Sequence, residues 1–407
     1  MKPRHLLLTC PSFAEKTGTE LYVAEVAGYF AARGWKVSIL TSNPGQLAMD
    51  FVSRGVNVCN DVEKLDYPDI IHGNAYFESL VACLKFRHAP LLFVAHNAQW
   101  WPQYAPKVPN LQKLVTVDYA CRTALILEAG FAPDQLEVLF NFVDTEKFLA
   151  RPRLPGRPAK ALIFSSYAKE DGYIPPVREA CRRMGLSLDV AGYGAGRPCD
   201  EPENLLINYD VVFAIGRCAI EAMAVGCTVI LCGQAGIGPL VNSRNVKDLR
   251  IWNFGWKTLT HRHNPEYICR LVGEYSTDDA EQMRDYIRQN AAMKPAIGAL
   301  ERHYDKILSD VQAAGQESLY SWHDLARQLD GYLKTERGYV GKYNSLGCTT
   351  YLTGFLLKQE VARLLADRGR NKAAFRGSRA KKRIKSLGAW LKKPYNLVRS
   401  RGRTNNG

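Results

Sequence analysis

Over the first 140 residues, short apolar runs alternate with segments whose apolar positions recur at helical spacing. His5–Thr9 predicts a buried strand, Thr19–Ala32 a helix and Lys36–Thr41 a second strand. The alternation continues through the strand Asp69–His72, the helix Phe77–Arg87, the strands Leu91–His96 and Leu114–Asp118, a helix ending near Gly130, and the strand Leu136–Phe140. That is the cadence of βα units in a parallel sheet. Gly34 and Gly130 each fall just past a helix, where a left-handed cap residue is wanted.

The stretch from Phe148 to Pro158 holds three prolines and a glycine without periodicity, which predicts an exposed connection between domains. Beyond it the alternation restarts with strands at Ala161–Phe164, Leu186–Val190, Asp210–Ala214 and Thr228–Cys232, and helices at Val177–Met184 and Arg217–Val225. From about Pro265 the pattern turns helical. A chain of 407 residues exceeds what one hydrophobic core usually serves. The expectation is therefore an α/β domain over 1–148, a second over 159–294, helices over 295–335 that cross back to brace the first domain, and an extension over 336–407.

Composition narrows the class. Nearly half the residues are apolar, yet no apolar run approaches the roughly 18 residues of a membrane span. The start, MKPRHLLLTC, is too short in its apolar part for a signal-peptide core and suits a first strand, so a cytoplasmic protein is expected. Eleven cysteines lie scattered without a C-x-x-C pair, as buried apolar side chains in a reducing compartment would. Neither a disulfide framework nor a metal site is expected. Of the 54 basic residues, 14 fall between Arg368 and Arg403 among no acidic ones, which leaves 40 to balance the 40 carboxylates. Within that tail Ile384, Leu387 and Leu391 share one helical face ringed by lysines. An anionic membrane surface meeting residues 368–403 is the expected partner; nucleic acid is the disfavoured rival polyanion, and a solvated tail the bland alternative.

Three stretches carry candidate chemistry. The first strand-to-helix turn holds Gly18 and Thr19 at a helix entrance, where exposed amides favour an anion, although Thr19 could equally be a plain helix cap. One glycine there, against the three of the dinucleotide fingerprint, disfavours a nicotinamide enzyme. Gly192-Tyr-Gly-Ala-Gly196 follows a strand and reads as a tight turn or a ligand loop. In Gly216-Arg-Cys-Ala-Ile-Glu-Ala-Met-Ala, Arg217 and Glu221 lie four apart on one helical face at the end of a strand. A carboxylate there can accept both ribose hydroxyls and the arginine can neutralise a diphosphate; the plain alternative is a surface ion pair. His96 ends a strand and precedes Asn97, Trp100 and Trp101. It can bond a sugar hydroxyl while the indoles stack on a sugar face, or be an ordinary structural histidine.

Gly216-Arg-x-x-x-Glu-Ala-Met-Ala-x-Gly-x-x-Val resembles the donor-site signature of family-4 glycosyltransferases. Three further stretches match that family in order: Gly18-Thr-Glu with Arg33-Gly-Trp-Lys-Val, Asn141-Phe-Val-Asp-Thr-Glu-Lys-Phe, and Gly192-Tyr-Gly. The resemblance spans about residues 5–310. It implies the GT-B fold, two Rossmann-like domains facing across a cleft with a helical C-terminal extension, and transfer of a sugar, with retention, from a UDP- or GDP-sugar to a glycan or lipid-linked acceptor. It requires no cofactor or metal. Residue by residue it implies donor contacts at Gly18, Thr19, Lys169, Gly194, Gly216, Arg217 and Glu221, His96 at the reacting centre, and acceptor contacts at Asn97, Trp100 and Trp101. The chain departs from the family where Phe213 stands in place of the first glutamate of the donor motif, and where only Lys169 represents the usual Arg and Lys pair. Arg217 is the candidate replacement for that charge. The alternatives are a non-catalytic nucleotide- or glycan-binding protein on the same scaffold and, third, a nucleotide-sugar epimerase.

Overall fold

The computed structural model describes residues 3–98, 104–314, 318 and 320–329, all within one compact unit, Met1–Tyr332. Trp100, Trp101, the extension 336–407 and its basic stretch 368–403 lie outside the described residues.

The first half is a seven-stranded parallel sheet with helices on its faces. In chain order its elements are β1 (His5–Phe13), α1 (Gly18–Ala32), β2 (Lys36–Pro44), α2 (Gln46–Val52), β3 (Asn57–Cys59), β4 (Ile70–Gly73), α3 (Tyr76–Lys85), β5 (Leu91–Ala95), β6 (Leu111–Thr116), α4 (Tyr119–Leu127) and β7 (Leu136–Val138). The spatial order is β3-β2-β1-β4-β5-β6-β7. Strand β1 sits mid-sheet with Leu6, Leu7 and Leu8 fully buried, as a near-continuous apolar run demands. It continues past the expected Thr9 because Ser12 and Phe13 still pair with β2, whereas pairing to β4 stops at Leu8. Past that point the Pro11 ring need only leave one flank unbonded. Gly34 and Gly130 take left-handed φ values of 79° and 67° behind α1 and α4.

The second half comprises β8 (Lys160–Phe164), α5 (Ile174–Arg183), β9 (Ser187–Ala191), α6 (Pro202–Leu206), β10 (Val211–Ala214), α7 (Gly216–Val225), β11 (Thr228–Gly233), β12 (Gly236–Leu240), α8 (Val246–Arg250), α9 (Pro265–Gly273), α10 (Thr277–Asn290) and α11 (Met293–Ala314). Its sheet runs β12-β11-β10-β8-β9, with β12 antiparallel to the rest. Separate apolar clusters cover its two faces.

Two features connect the halves. The chain crosses between cores at Phe142 and Val143, ahead of the proline-rich stretch, and crosses back where the Val143 amide donates to Ala291 and the Met293 amide to Val143. The proline-rich stretch itself lies on the second half, with Leu154 buried and the Arg151 amide bonded to the Val225 carbonyl. After the return crossing, α11 packs on the first core: Ile297, Leu300 and Tyr304 are fully buried there. The Tyr304 hydroxyl pairs with His72 Nδ1, and Arg33 meets Glu301 at 3.3 Å.

In each sheet the strand order reverses once, between β1 and β4 and between β10 and β8. Open α/β sheets place ligands outside the carboxyl ends of strands at such switch points. Gly18 follows β1, His96 follows β5, Lys169 follows β8 and Arg217 follows β10, so the candidate residues gather at these ends.

Candidate active site

Helix α7 opens on Gly216, whose φ of 58° is left-handed and whose amide donates to the Phe254 carbonyl at 2.9 Å. The turn aims Arg217 at the first half. Its Nη1 and Nη2 donate to the Glu25 carboxylate of α1 at 2.8 and 2.6 Å, and Nη2 also reaches Glu221 Oε1 at 3.4 Å. The guanidinium carbon stands 5.9 Å over the ring of Phe142, and a side chain at Gly18 would begin 4.0 Å from Arg217 Cδ. Arg217 and Glu221 are only 8% and 3% exposed, so the pair is an interdomain ion triad rather than a surface bridge.

That triad holds one cation and two carboxylates. Burial pushes the Glu221 carboxyl up to about 7, with Glu25 adding to the rise and Arg217 opposing it. Because the folded value lies above the ordinary 4.5, the folded chain keeps a proton that the unfolded chain has already released between about pH 4.5 and 7. The resulting stability is complete below that window and is lost as pH rises through about 7. Glu221→Gln cannot titrate. Thermal melts between about pH 5 and 8 should show this variant gaining on the parent as pH rises, and parallel melting curves would contradict the shifted carboxyl.

His96 lies just beyond β5, half-buried, with its ring edge-on to Tyr22 at 4.6 Å. Its orientation is set by Asn74, whose Nδ2 donates to the Thr9 carbonyl at 3.1 Å and so turns Oδ1 toward the imidazole. Nε2–H therefore donates to Asn74 Oδ1 at 2.8 Å, which leaves Nδ1 as an acceptor. Loss of solvent, with nearby His72 and the Arg217 charge adding to it, lowers the His96 pKa to about 3, so the ring is neutral. Tyr22 also packs on Phe142 at 5.5 Å, tying the histidine to the ring beneath Arg217.

The helix entrance differs from expectation. The cap of α1 is Thr17, not Thr19. Glu20, in the first turn, accepts from the amides of Ala14, Glu15 and Thr17 at 3.1, 3.3 and 3.1 Å and from the Thr17 hydroxyl at 2.7 Å. An internal carboxylate thus takes up much of the anion-seeking loop. The Gly192-Tyr-Gly loop is likewise spent on packing: a Cβ at Gly192 would meet the Ser165 carbonyl oxygen at 2.0 Å, and the Gly194 amide donates to Ser166 at 2.9 Å. Tyr193 between them accepts the Lys16 amide at 3.0 Å, and Lys16 Nζ reaches Asp200 at 2.8 Å, two further ties across the crevice. Lys169 and Asn97 are exposed. No group of residues that could hold a metal occurs among the described residues.

Gly18, Arg217 and Glu221 thus come together, with His96 joined to them through Tyr22 and Phe142, whereas Gly194 packs against the Ser166–Ala168 backbone and Lys169 is exposed. The residues that sequence reasoning missed are Glu25, Glu20, Tyr22, Asn74 and Phe142. Glu25 had a signal: it is a lone carboxylate within the apolar run Tyr22-Val-Ala-Glu-Val-Ala. Glu20 had one too, the Thr17-x-x-Glu20 spacing of a capping box, whereas Tyr22, Asn74 and Phe142 had none, because their roles depend on neighbours remote in the chain.

Residues 16–147 match the family model described as Glycosyltransferase Family 4. A glycosyltransferase from Rickettsia africae superposes with a TM-score of 0.54 at 14% identity, covering 76% of this chain and 99% of its own. Anabaena HepE, solved in complex with UDP and glucose, gives a TM-score of 0.58 at 14% identity over 74% of this chain and 99% of its own. The fold is GT-B. No curated protein matches the chain in sequence. Within a GT-B framework the Arg217 triad lies in the crevice between the two sheets, and α11 is the returning helix that covers the first. No helix among the described residues is long and apolar enough to cross a membrane.

Proposed function

We propose that the chain is a glycosyltransferase that moves a sugar, with retention, from a UDP- or GDP-sugar to a glycan or lipid-linked acceptor in the crevice between α1 and α7. The observation that carries this reading is the meeting of the α7 entrance, with Arg217 and Glu221, and the Gly18 end of α1 over one crevice at both switch points. The family-model match over the first half supports it.

Glu221 takes the ribose hydroxyls, and Arg217 with the entrances of α1 and α7 offsets charge on the departing diphosphate. The donor's phosphates compete with Glu25 for the guanidinium. His96, neutral and with Nδ1 open as an acceptor, receives a sugar hydroxyl near the anomeric carbon. Catalysis then rests on positioning and electrostatics, without a metal.

A non-catalytic binding protein is the second reading. It is favoured by the commitment of Arg217 to two carboxylates and of the Gly194 and Gly216 amides to internal carbonyls. Incubation with a panel of UDP- and GDP-sugars and glycan or lipid-linked acceptors separates the two. Acceptor-dependent release of UDP or GDP is expected, about 10–100-fold slower in Glu221→Ala, the cost of a lost charged hydrogen-bonding group. Nucleotide binding without release, indifferent to Glu221→Ala, would leave the second reading standing.

A further inference from the structure

A cavity of about 250 Å3 lies where the chain passes twice between the halves; it shares Phe142 with the surroundings of Arg217, but Glu25, Arg217 and Glu221 do not line it. One wall is the outgoing crossing with Phe140, Asn141 and Phe142, the other the return with Asn290, Ala292 and Ala296, and Arg250 from the end of α8 lies between them. By the share of liquid volume that each water occupies, this is room for roughly eight waters, the bulk of a small metabolite.

Arg250 is 6% exposed, yet among the described residues no carboxylate pairs with it. Its protein partners are neutral: Nη1 donates to Asn253 Oδ1 at 3.0 Å, Nη2 to the Asn141 carbonyl at 2.6 Å, and the guanidinium carbon stands 5.0 Å from the Phe140 ring and 5.9 Å from that of Phe254. Two of the five N–H donors of an arginine are thereby used. Burial, uncompensated by an acid, lowers its pKa to about 10, a direction opposite to that of Arg217. A buried cation without a counter-charge is costly, because neutral partners replace only part of the water it has lost. Beside it the Asn141 side-chain oxygen is buried with no hydrogen-bond partner among the described residues. Arg250 and Asn141 therefore both belong to the cavity wall, with the guanidinium as its charged donor.

We propose that this hinge cavity is a binding site for a small anion bearing a phosphate or carboxylate group, held by the Arg250 guanidinium. The site holds none of the three ionised residues of the donor crevice and does not rest on the transferase reading. It is well placed to report on the hinge. Asn253 and Phe254 are non-glycine residues at left-handed φ values of 55° and 53°, a conformation that L residues other than glycine rarely hold. Their stretch is bonded in three directions: Arg250 to the linker carbonyl of Asn141, the Ile251 carbonyl to the Tyr119 amide of the first half, and the Phe254 carbonyl to the Gly216 amide that starts α7. An occupant of the cavity meets this stretch at Arg250, the side chain that ties it to the linker.

Calorimetric titration of the full chain with inorganic phosphate, and separately with acetate, tests the site. Saturable binding of at least one probe is expected, and the tighter of the two tells which group the site takes. Arg250→Gln should weaken it at least about tenfold, since a charged hydrogen bond is lost. Ala296→Phe, which fills the cavity and leaves Arg250 and its partners in place, should weaken it likewise, and it carries the test alone should Arg250→Gln fail to fold. Absence of saturable binding of either probe, or binding that Ala296→Phe leaves unchanged, overturns the proposal.

Discussion

Arg217→Ala should cost about 3–5 kcal/mol of unfolding free energy in urea, among the largest losses available to a single substitution in this chain. The reason is what it leaves behind. Removing the guanidinium strands Glu25 and Glu221, whose side chains are 19% and 4% exposed, without a counter-charge and on facing helices of the two halves. An ion pair at the surface would be worth no more than about 1 kcal/mol, so the size of the loss measures how firmly the crevice is shut in solution. Glu25→Gln should cost clearly less, because Arg217 keeps Glu221 at 3.4 Å and the amide oxygen still accepts one hydrogen bond. Denaturation of Arg217→Ala at below about 1 kcal/mol loss would mean that the halves stand apart and the triad is solvated. The same variant removes the cation assigned to the donor diphosphate, so UDP or GDP titrated into it should bind more weakly than to the parent.

Tyr304→Ala should be of similar severity, at about 3–5 kcal/mol for a buried aromatic truncated to alanine. Tyr304 is fully buried under the first sheet, with ring contacts to Phe30 at 5.2 Å and Trp35 at 6.1 Å. Its hydroxyl is also the partner of His72 Nδ1, and His72 Nε2 already lacks a partner among the described residues. The truncation therefore adds an unsatisfied buried imidazole to a cavity. Tyr304→Phe isolates that second part and should cost about 1–3 kcal/mol, the desolvation penalty of the stranded group. Because α11 follows the second half in sequence yet covers the core of the first, urea melts of Tyr304→Ala followed by fluorescence, in chains that keep Trp35 and carry phenylalanine at the other six tryptophans, should show the first half unfolding earlier than in the parent. Coincident, unshifted melts would contradict the bracing role of α11.

Much of this architecture is legible in the chain alone. Apolar runs at β1, β5 and β10 and the glycines behind α1, α4 and α7 depend on residues close in sequence, and local backbone geometry decides them. The short elements α2, β3, β12 and α8 escaped notice because three to seven residues carry too little periodicity to register. The crossing between halves escaped too: proline density marked the stretch after Phe148, but Phe142 and Val143 divide between cores because of what faces them across the sheets.

The site divides along the same line. Arg217 and Glu221 share a helical face by spacing, and a strand end before them marks a ligand position; both follow from the order of residues. That Arg217 spends its charge on Glu25, 192 positions earlier, follows only once two sheets stand face to face. The same holds for the burial that lifts Glu221 to about 7 and for the neutral setting of Arg250, since charge and solvent act through space and the chain's order does not record which distant groups will share it.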